Sequence, residues 1–264
     1  MEASYMDQIA RGLYHGAMLL YLYGFAWLCA ANDPIRRSRA TWIFWSALAV
    51  LTVAVILYAV VRRGIPMDVP TQDALLRSWG LGLVLVFISA RYKERLLLLA
   101  VGLAMALLFV FAFPMPLPSK MRMPPFLSRG LALPLSVLIY DAAAVVFAYC
   151  FSLSVFSLFR KKPAPGHASD GAPSKPVTAR IGDCALWGLF IFTVSQVTAF
   201  IGNLIHHGTY WEWNPIHLTL VSVWMLYAGM VHLRWVNSIS QKTLPVAGIL
   251  GFFTILGFQV IRRL

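Results

Sequence analysis

The residues best suited to chemistry lie close together between positions 202 and 234. Tryptophan, tyrosine and histidine crowd the short stretch 206–217 (HHGTYWEWNPIH), and an apolar run containing His232 follows at once. Flat aromatic rings provide a stacking surface for a planar ligand, and neutral imidazole is a common ligand of iron. This composition predicts either a surface for a planar, iron-containing ligand or an aromatic belt at a membrane surface with incidental histidines.

The spacing of the histidines predicts two groups of candidate iron ligands at different depths. His217 and His232 are 15 residues apart, about 22 Å along one helix, so they cannot bind the same iron. His206 and His207 lie with His217 beside the tryptophans, and His15 lies about 10 Å inside the first apolar run, within reach of a ligand under them. Each histidine also has a structural interpretation, as a helix-packing or interfacial residue.

His232 is the strongest single candidate. On a helix it shares a face with Met225, Ala228 and Gly229, and small residues there allow a flat ligand or another helix to approach. A histidine inside a membrane span is a functional candidate by default. The alternatives are a hydrogen bond to a neighbouring helix and a side chain that extends to the nearer membrane surface.

These residues belong to a chain whose composition predicts an all-α, polytopic membrane protein. Of its 264 residues 59% are hydrophobic and only 12% are charged, which is too few charges for a water-facing surface. Long apolar runs recur along the chain, and in lipid a helix satisfies its own backbone groups. We predict a single membrane domain, 1–264, with eight spanning helices. The predicted spans are 9–31, 41–61, 75–91, 96–113, 131–158, 185–204, 217–234 and 245–261.

Basic residues predict which side each connection faces. With the N-terminus outward, the inner connections hold 13 of the 22 lysines and arginines. These are Arg36, Arg37, Arg39, Arg91, Lys93, Arg95, Arg160, Lys161, Lys162, Lys175, Arg180, Arg234 and Lys242. The chain is therefore predicted to be a multi-pass protein of the cell inner (plasma) membrane, with both termini and the Trp-rich segment outward. The Pro- and Ala-rich stretch 161–181 is predicted to be a flexible inner linker.

Several other classes of protein are disfavoured. The first residues, MEASYMDQIAR, lack the basic start of a signal peptide. The net charge of +12 comes from short basic clusters between apolar runs, which favours lipid headgroups over nucleic acid as the partner. The three cysteines are interpreted as small apolar fillers, and the lack of a CxxCH motif argues against a c-type cytochrome.

Two further polar residues fall inside the predicted spans. Asp141 is expected to face the protein interior, where it is paired or protonated. Arg77 is expected to extend toward the outer membrane surface, with a carboxylate ligand as the alternative.

The Trp-rich segment resembles that of the cytochrome c assembly family, the heme-handling membrane proteins of the CcsA and HemX type. In that family a W-G-x-x-W-x-W-D-P segment is followed by a tryptophan nine residues and a histidine seventeen residues after its proline. Here Pro215 is followed by Trp224 and His232 at those offsets. The chain resembles a divergent member of this family.

A second match and several departures accompany this resemblance. Pro66 and Trp79 are thirteen residues apart, as are a proline and a tryptophan of the family. Asn214 replaces the aspartate of the family motif, His207 replaces its first tryptophan, and His217 replaces a glutamate. The two outer histidines with which the family would hold an outer heme have no counterpart here.

The resemblance implies heme b as the cofactor. The implied cofactor-binding residues are Trp211, Trp213, Trp224, His15, His207, His217 and His232, and the four histidines are candidate iron ligands. A protein that presents or relays heme in cytochrome c biogenesis is implied, with a second membrane subunit of the assembly system as partner. The missing outer histidines favour heme delivery or assembly over a self-sufficient thioether ligase. Two alternatives stay open: a heme-free, HemX-like structural or regulatory subunit, and a b-type cytochrome anchor for electron transfer, which needs two histidines at matching depth.

Overall fold

The computed structural model is helical in nearly all of the chain that it describes. The described residues are 2–30, 34–62, 70–91, 101–104, 132–159, 176–211, 213, 215–236 and 243–261. The helices are α1 (Glu2–Ala30), α2 (Pro34–Arg62), α3 (Pro70–Arg91), α4 (Ala132–Phe159), α5 (Val177–His207), α6 (Pro215–Trp235) and α7 (Thr243–Ile261). No strand occurs in these ranges, and the predicted all-α class is confirmed.

Seven of the eight predicted spans overlap one of these helices each. The remaining one, 96–113, is described only at residues 101–104, which are helical. Three of the helices, α2, α3 and α6, begin at a proline. Proline suits this position because its ring presets the helical φ and the first turn needs no N–H donor.

The predicted start of the sixth span, in 185–204, is wrong by eight residues, because α5 begins at Val177. The first turns of this helix carry Asp183, which interrupts the apolar pattern. The structure pairs that carboxylate with Arg234 of α6 at 3.0 Å, so the charge does not prevent the helix from continuing. Helix α5 therefore also occupies the end of the predicted linker 161–181, whose earlier part lies outside the described residues.

The helices form a membrane bundle, as predicted. Among the described residues, four stretches are long and apolar enough to cross a bilayer: Gly12–Ala30, Ser38–Leu57, Leu135–Phe159 and Val177–Ile205. Two shorter apolar helices, Leu75–Phe87 and Thr243–Gly257, accompany them. Many large apolar side chains point away from the protein, which is the arrangement that lipid contact requires.

Helix α4 organises the bundle. It packs against α3, α5 and α7, while α6 packs against α5 and α7, so these last four helices form a compact group. Helices α1 and α2 extend the structure on the far side of α3. The core of the group is aromatic: the ring of Phe147 stacks on that of Tyr227 at 3.8 Å between centroids, and Phe151 stacks on Phe252 at 4.5 Å.

Polar contacts establish which helix ends lie together. Ser195, late in α5, donates a 2.8 Å hydrogen bond to the carbonyl oxygen of Ser136 at the start of α4. Arg77, near the start of α3, pairs with Asp141 in the first half of α4. The starts of α3 and α4 and the end of α5 thus share one end of the bundle, here called the Trp-rich end. The pair between Asp183 and Arg234 lies at the other end.

Candidate functional site

A glycine ends α5 and directs the chain into the Trp-rich segment. Gly208 has a φ of +71°, a left-handed conformation that glycine adopts without steric cost, and its N–H donates to the carbonyl oxygen of Leu204 at 3.0 Å. Helix α6 begins at Pro215, seven residues further along the chain. The segment is therefore a short connection fixed by a helix end on each side.

The aromatic rings of this connection form a cluster. The imidazole of His217 stacks on the indole of Trp211, with centroids 5.0 Å apart and an interplanar angle of 28°. Trp213 and Phe200 meet Trp211 edge to face, at 5.7 and 6.0 Å. These four residues, Phe200, Trp211, Trp213 and His217, are called the aromatic cluster below. Trp211, Trp213 and His217 were predicted to share a site, and the structure brings them together.

The cluster combines an anchored indole with an exposed one. Trp211 lies at the centre, and its indole Nε1 is buried without a hydrogen-bond acceptor among the described residues. Trp213, in contrast, is 83% exposed and offers most of its indole surface to the surroundings. An exposed indole beside a packed one is a suitable platform for a flat apolar ligand.

His206 and His207 are the last two residues of α5, directly before the glycine that ends it. Their backbone is helical, and their side chains lie outside the described part of the structure. The prediction that His207 is an iron ligand therefore stays a prediction.

His232 lies on the exposed side of α6, at the end opposite the aromatic cluster. Met225 on the same face is 60% exposed, while Tyr227 on the opposite face is fully buried. A Cβ added at Gly229 would meet no atom within 4 Å, so the space beside His232 is open. An exposed imidazole next to open space fits the requirements of a heme ligand, or of a helix partner, on this face.

Trp224 points elsewhere. Its indole Nε1 donates a 2.9 Å hydrogen bond to Oγ1 of Thr193 on α5, and that hydroxyl donates in turn to the carbonyl oxygen of Leu189 at 2.7 Å. The side chain is partly buried between the two helices. The structure thus places Trp224 at a helix–helix contact rather than on the open face with His232, and sequence reasoning did not identify Thr193.

His15 lies in α1, where its ring contacts Tyr14 edge to face at 5.5 Å. Helix α1 packs mainly against α2, whereas His217 and His232 are on α6, which packs against α5 and α7. The described structure therefore does not bring His15 into one helix interface with the histidines of α6.

Arg77 and Asp141 form a buried ion pair between α3 and α4. The arginine is only 4% exposed, and its guanidinium lies 5.0 Å from the ring centroid of Tyr140. The expectation that Arg77 extends to the membrane surface is wrong, because a carboxylate is available to it inside the bundle. The expectation that Asp141 faces the interior in a paired state is confirmed.

Within the described part of the chain no three histidine, cysteine, aspartate or glutamate side chains come together as a metal-binding group. A heme iron differs from such a site because the porphyrin supplies four ligands and the protein adds one or two. The exposed imidazole of His232 and the stacked imidazole of His217 are each suited to that smaller requirement.

The fold is similar to that of a solved structure, "Cytochrome c Heme Lyase CcmF". The likeness covers 97% of this chain and 49% of that chain, with a TM-score of 0.67 and 14% sequence identity. This chain therefore spans about half the length of the solved protein. No family model and no curated protein matches the sequence. The resemblance to cytochrome c assembly proteins is thus confirmed at the level of the fold.

Proposed function

We propose that this chain is a heme-handling membrane protein of cytochrome c biogenesis, which presents or relays heme at the Trp-rich segment. The observation that carries the proposal is the fold, shared over 97% of the chain with a protein named as a cytochrome c heme lyase. Because the sequences are only 14% identical, the likeness supports the scaffold, and the activity is inferred from the site.

The aromatic cluster supports the presenting role. A porphyrin is flat and largely apolar, and Trp213 offers it an exposed indole beside the packed ring of Trp211. The stacked imidazole of His217 is the iron-ligand candidate nearest to these rings. We place His207 and His15 as the further candidates for a heme at this end. We propose delivery of heme, rather than self-sufficient thioether ligation, as the role of this surface.

His232 supports a second heme position at the opposite end. Heme b, when bound, supplies a redox-active iron, and the chain would contribute the imidazole of His232 and the open surface beside Gly229. The distance to His217 is about 22 Å along α6, so the two positions are separate. Because His232 faces outward from the bundle, we propose that a second membrane subunit of the assembly system covers this face and provides the opposing ligand.

Orientation completes the proposal. We place the protein in the inner (plasma) membrane as one membrane domain, with the Trp-rich end and both termini outward. Heme presented at that end would then be available on the outer side of the membrane. The linker before α5 would lie in the cytoplasm.

The presenting role is tested by replacing both Trp211 and Trp213 with leucine and measuring heme per folded protein. Heme content is expected to fall while the yield of folded protein stays nearly unchanged. Trp187→Leu is the matched control, because Trp187 is a 60% exposed indole at the other end of α5. Loss of folded protein in proportion to heme would mean that the two tryptophans only anchor the chain in the membrane.

The His232 site is tested by His232→Ala, with the chain purified both alone and with its membrane partners. The variant is expected to lose the inner heme of the complex and to retain any heme at the Trp-rich end. The isolated wild-type chain is expected to have little inner heme. A six-coordinate heme in the isolated chain that survives His232→Ala would contradict the shared site.

One observation favours a second candidate function, a heme-free structural or regulatory subunit. The ring of His217 already covers one face of Trp211, which reduces the aromatic surface available to a ligand. A purified protein with no heme absorption in any preparation would support this alternative.

A further inference from the structure

Two helix pairs of this chain are joined by the same hydrogen-bond arrangement, in which a tryptophan indole donates to a threonine hydroxyl on the preceding helix. Trp79 of α3 donates its indole N–H to Oγ1 of Thr52 on α2 at 3.0 Å, and Thr52 donates to the carbonyl oxygen of Leu48 four residues earlier, at 2.8 Å. Trp224 of α6, Thr193 of α5 and the Leu189 carbonyl repeat this arrangement, at 2.9 and 2.7 Å. Each tryptophan thus reaches back to the helix that precedes it in the chain.

The two hydrogen-bonded helix pairs also agree in the position of the tryptophan and in the length of the connection. Each tryptophan lies nine residues after the proline that begins its helix, Pro70 in α3 and Pro215 in α6. In each pair seven residues, 63–69 or 208–214, separate the two helices. The agreement of connection length, first helical residue and tryptophan position indicates that α2–α3 and α5–α6 are two copies of one structural unit.

The helix pairs α2–α3 and α5–α6 both have their connection at the Trp-rich end of the bundle. The starts of α3 and α4 lie together because Arg77 pairs with Asp141, and the end of α5 joins them through the hydrogen bond from Ser195 to Ser136. Both tryptophans therefore lie in the half of the bundle at the Trp-rich end. Trp79 joins α3 to α2 by a hydrogen bond, and Trp224 joins α6 to α5 in the same way.

We propose that Trp224 and Trp79 are positioning residues, each of which holds the helix after its connection at a fixed height against the preceding helix. For Trp224 the consequence is specific. The position of α6 along α5 determines where His217 of α6 lies relative to Phe200 of α5, and Trp211 contacts the rings of both. The indole N–H of Trp224 acts through Thr193 and does not itself contact a ligand.

Burial explains why one hydrogen bond is sufficient for this role. In a membrane interior an indole N–H and a threonine hydroxyl find few alternative acceptors, so the helix register that pairs them is favoured. Thr193 and Thr52 each donate their own proton to a backbone carbonyl, which leaves the hydroxyl oxygen free to accept from the indole. Valine at either position has the same shape without the acceptor.

The test measures accessibility near the end of α5 and does not require heme. A cysteine introduced as Leu204→Cys, at a half-buried position one turn after Phe200 on α5, is labelled with an impermeant thiol reagent in the intact membrane, and the labelling rate is compared between variants. Trp224→Phe and Thr193→Val are each expected to raise the rate roughly threefold, as the loss of one interhelical hydrogen bond in a membrane implies. The double variant is expected to match either single variant, and Thr193→Ser, which keeps the hydroxyl, is expected to behave as wild type.

Trp79→Phe is the matched control because it removes the same hydrogen bond from the other unit. It is expected to leave the labelling rate at position 204 unchanged. An unchanged rate in both Trp224→Phe and Thr193→Val, or an equal rise in Trp79→Phe, would overturn the proposal. If Trp224→Phe does not fold, the labelling rate of Thr193→Val tests the proposal alone, since that change only replaces a hydroxyl by a methyl group. The positioning role rests on geometry alone, so a failed heme assignment would leave this result unaffected.

Discussion

The buried pair of Arg77 and Asp141 has a measurable stability consequence. Asp141→Asn keeps the size of the side chain and removes its charge, so the buried guanidinium of Arg77 loses the carboxylate with which it pairs. Breaking one side of a buried ion pair costs about 3–5 kcal/mol. Since 1.36 kcal/mol corresponds to tenfold, the unfolding equilibrium constant is expected to rise by roughly two to four orders of magnitude.

Two other variants test whether the loss of stability comes from breaking a buried ion pair. In the double variant Arg77→Leu/Asp141→Leu both charges are replaced by apolar groups, and most of the lost stability is expected to return, because a buried ion pair gives little net stability over apolar packing. Asp183→Asn breaks the pair between Asp183 and Arg234, in which the arginine side chain is 32% exposed and the aspartate side chain 38%. An exposed pair contributes only about 0–1 kcal/mol, so this control is expected to be nearly neutral.

The assay is unfolding in detergent micelles with an increasing fraction of dodecyl sulfate. Tryptophan fluorescence reports the transition, since the chain has 9 tryptophans. The expected order of stability is wild type and Asp183→Asn highest, the double leucine variant close to them, and Asp141→Asn lowest. If Asp141→Asn unfolds at the same midpoint as Asp183→Asn, the buried pair does not hold α3 against α4 in the way described.

Two further predictions concern orientation and packing. Cysteines introduced as Asp170→Cys and Thr209→Cys are expected to be protected and labelled, respectively, by an impermeant reagent added outside, and labelling of position 170 alone would reverse the proposed orientation. Gly251→Ala is expected to destabilise the protein by about 1–3 kcal/mol, because its Cβ would lie 2.7 Å from the ring of the fully buried Tyr227. Gly229→Ala, whose Cβ meets open space, is expected to leave the midpoint of detergent unfolding unchanged, and equal losses in both variants would contradict the packing described here.

The helices could be predicted from the sequence because hydropathy and length dictate what a membrane can accept. The boundary errors arose where charges enter a helix. Asp183 interrupts the apolar run at the start of α5, and only its partner Arg234, 51 residues away, explains why the helix continues. Arg77 was predicted to reach the membrane surface for the same reason, since Asp141 is 64 residues away.

The sequence identified the residues of the candidate site, but it did not predict where each of their side chains points. Offsets from Pro215 identified Trp224 and His232 as residues of interest, and the structure places both on α6. Their side chains point to different surroundings, Trp224 toward Thr193 and His232 away from the bundle. Which neighbour a helical side chain meets depends on how the helices pack, and that packing is decided by residues distant in the sequence.

The central claim, that this chain handles heme, is tested most directly by its visible absorption spectrum. The protein is purified in mild detergent from heme-replete cells, with its membrane partners retained, and the spectrum is recorded oxidised and dithionite-reduced. The proposed function predicts a Soret band and sharp reduced bands of heme b, with part of the absorption lost in His232→Ala. A spectrum with only protein absorption, in a preparation whose fold and partners are intact, would contradict it.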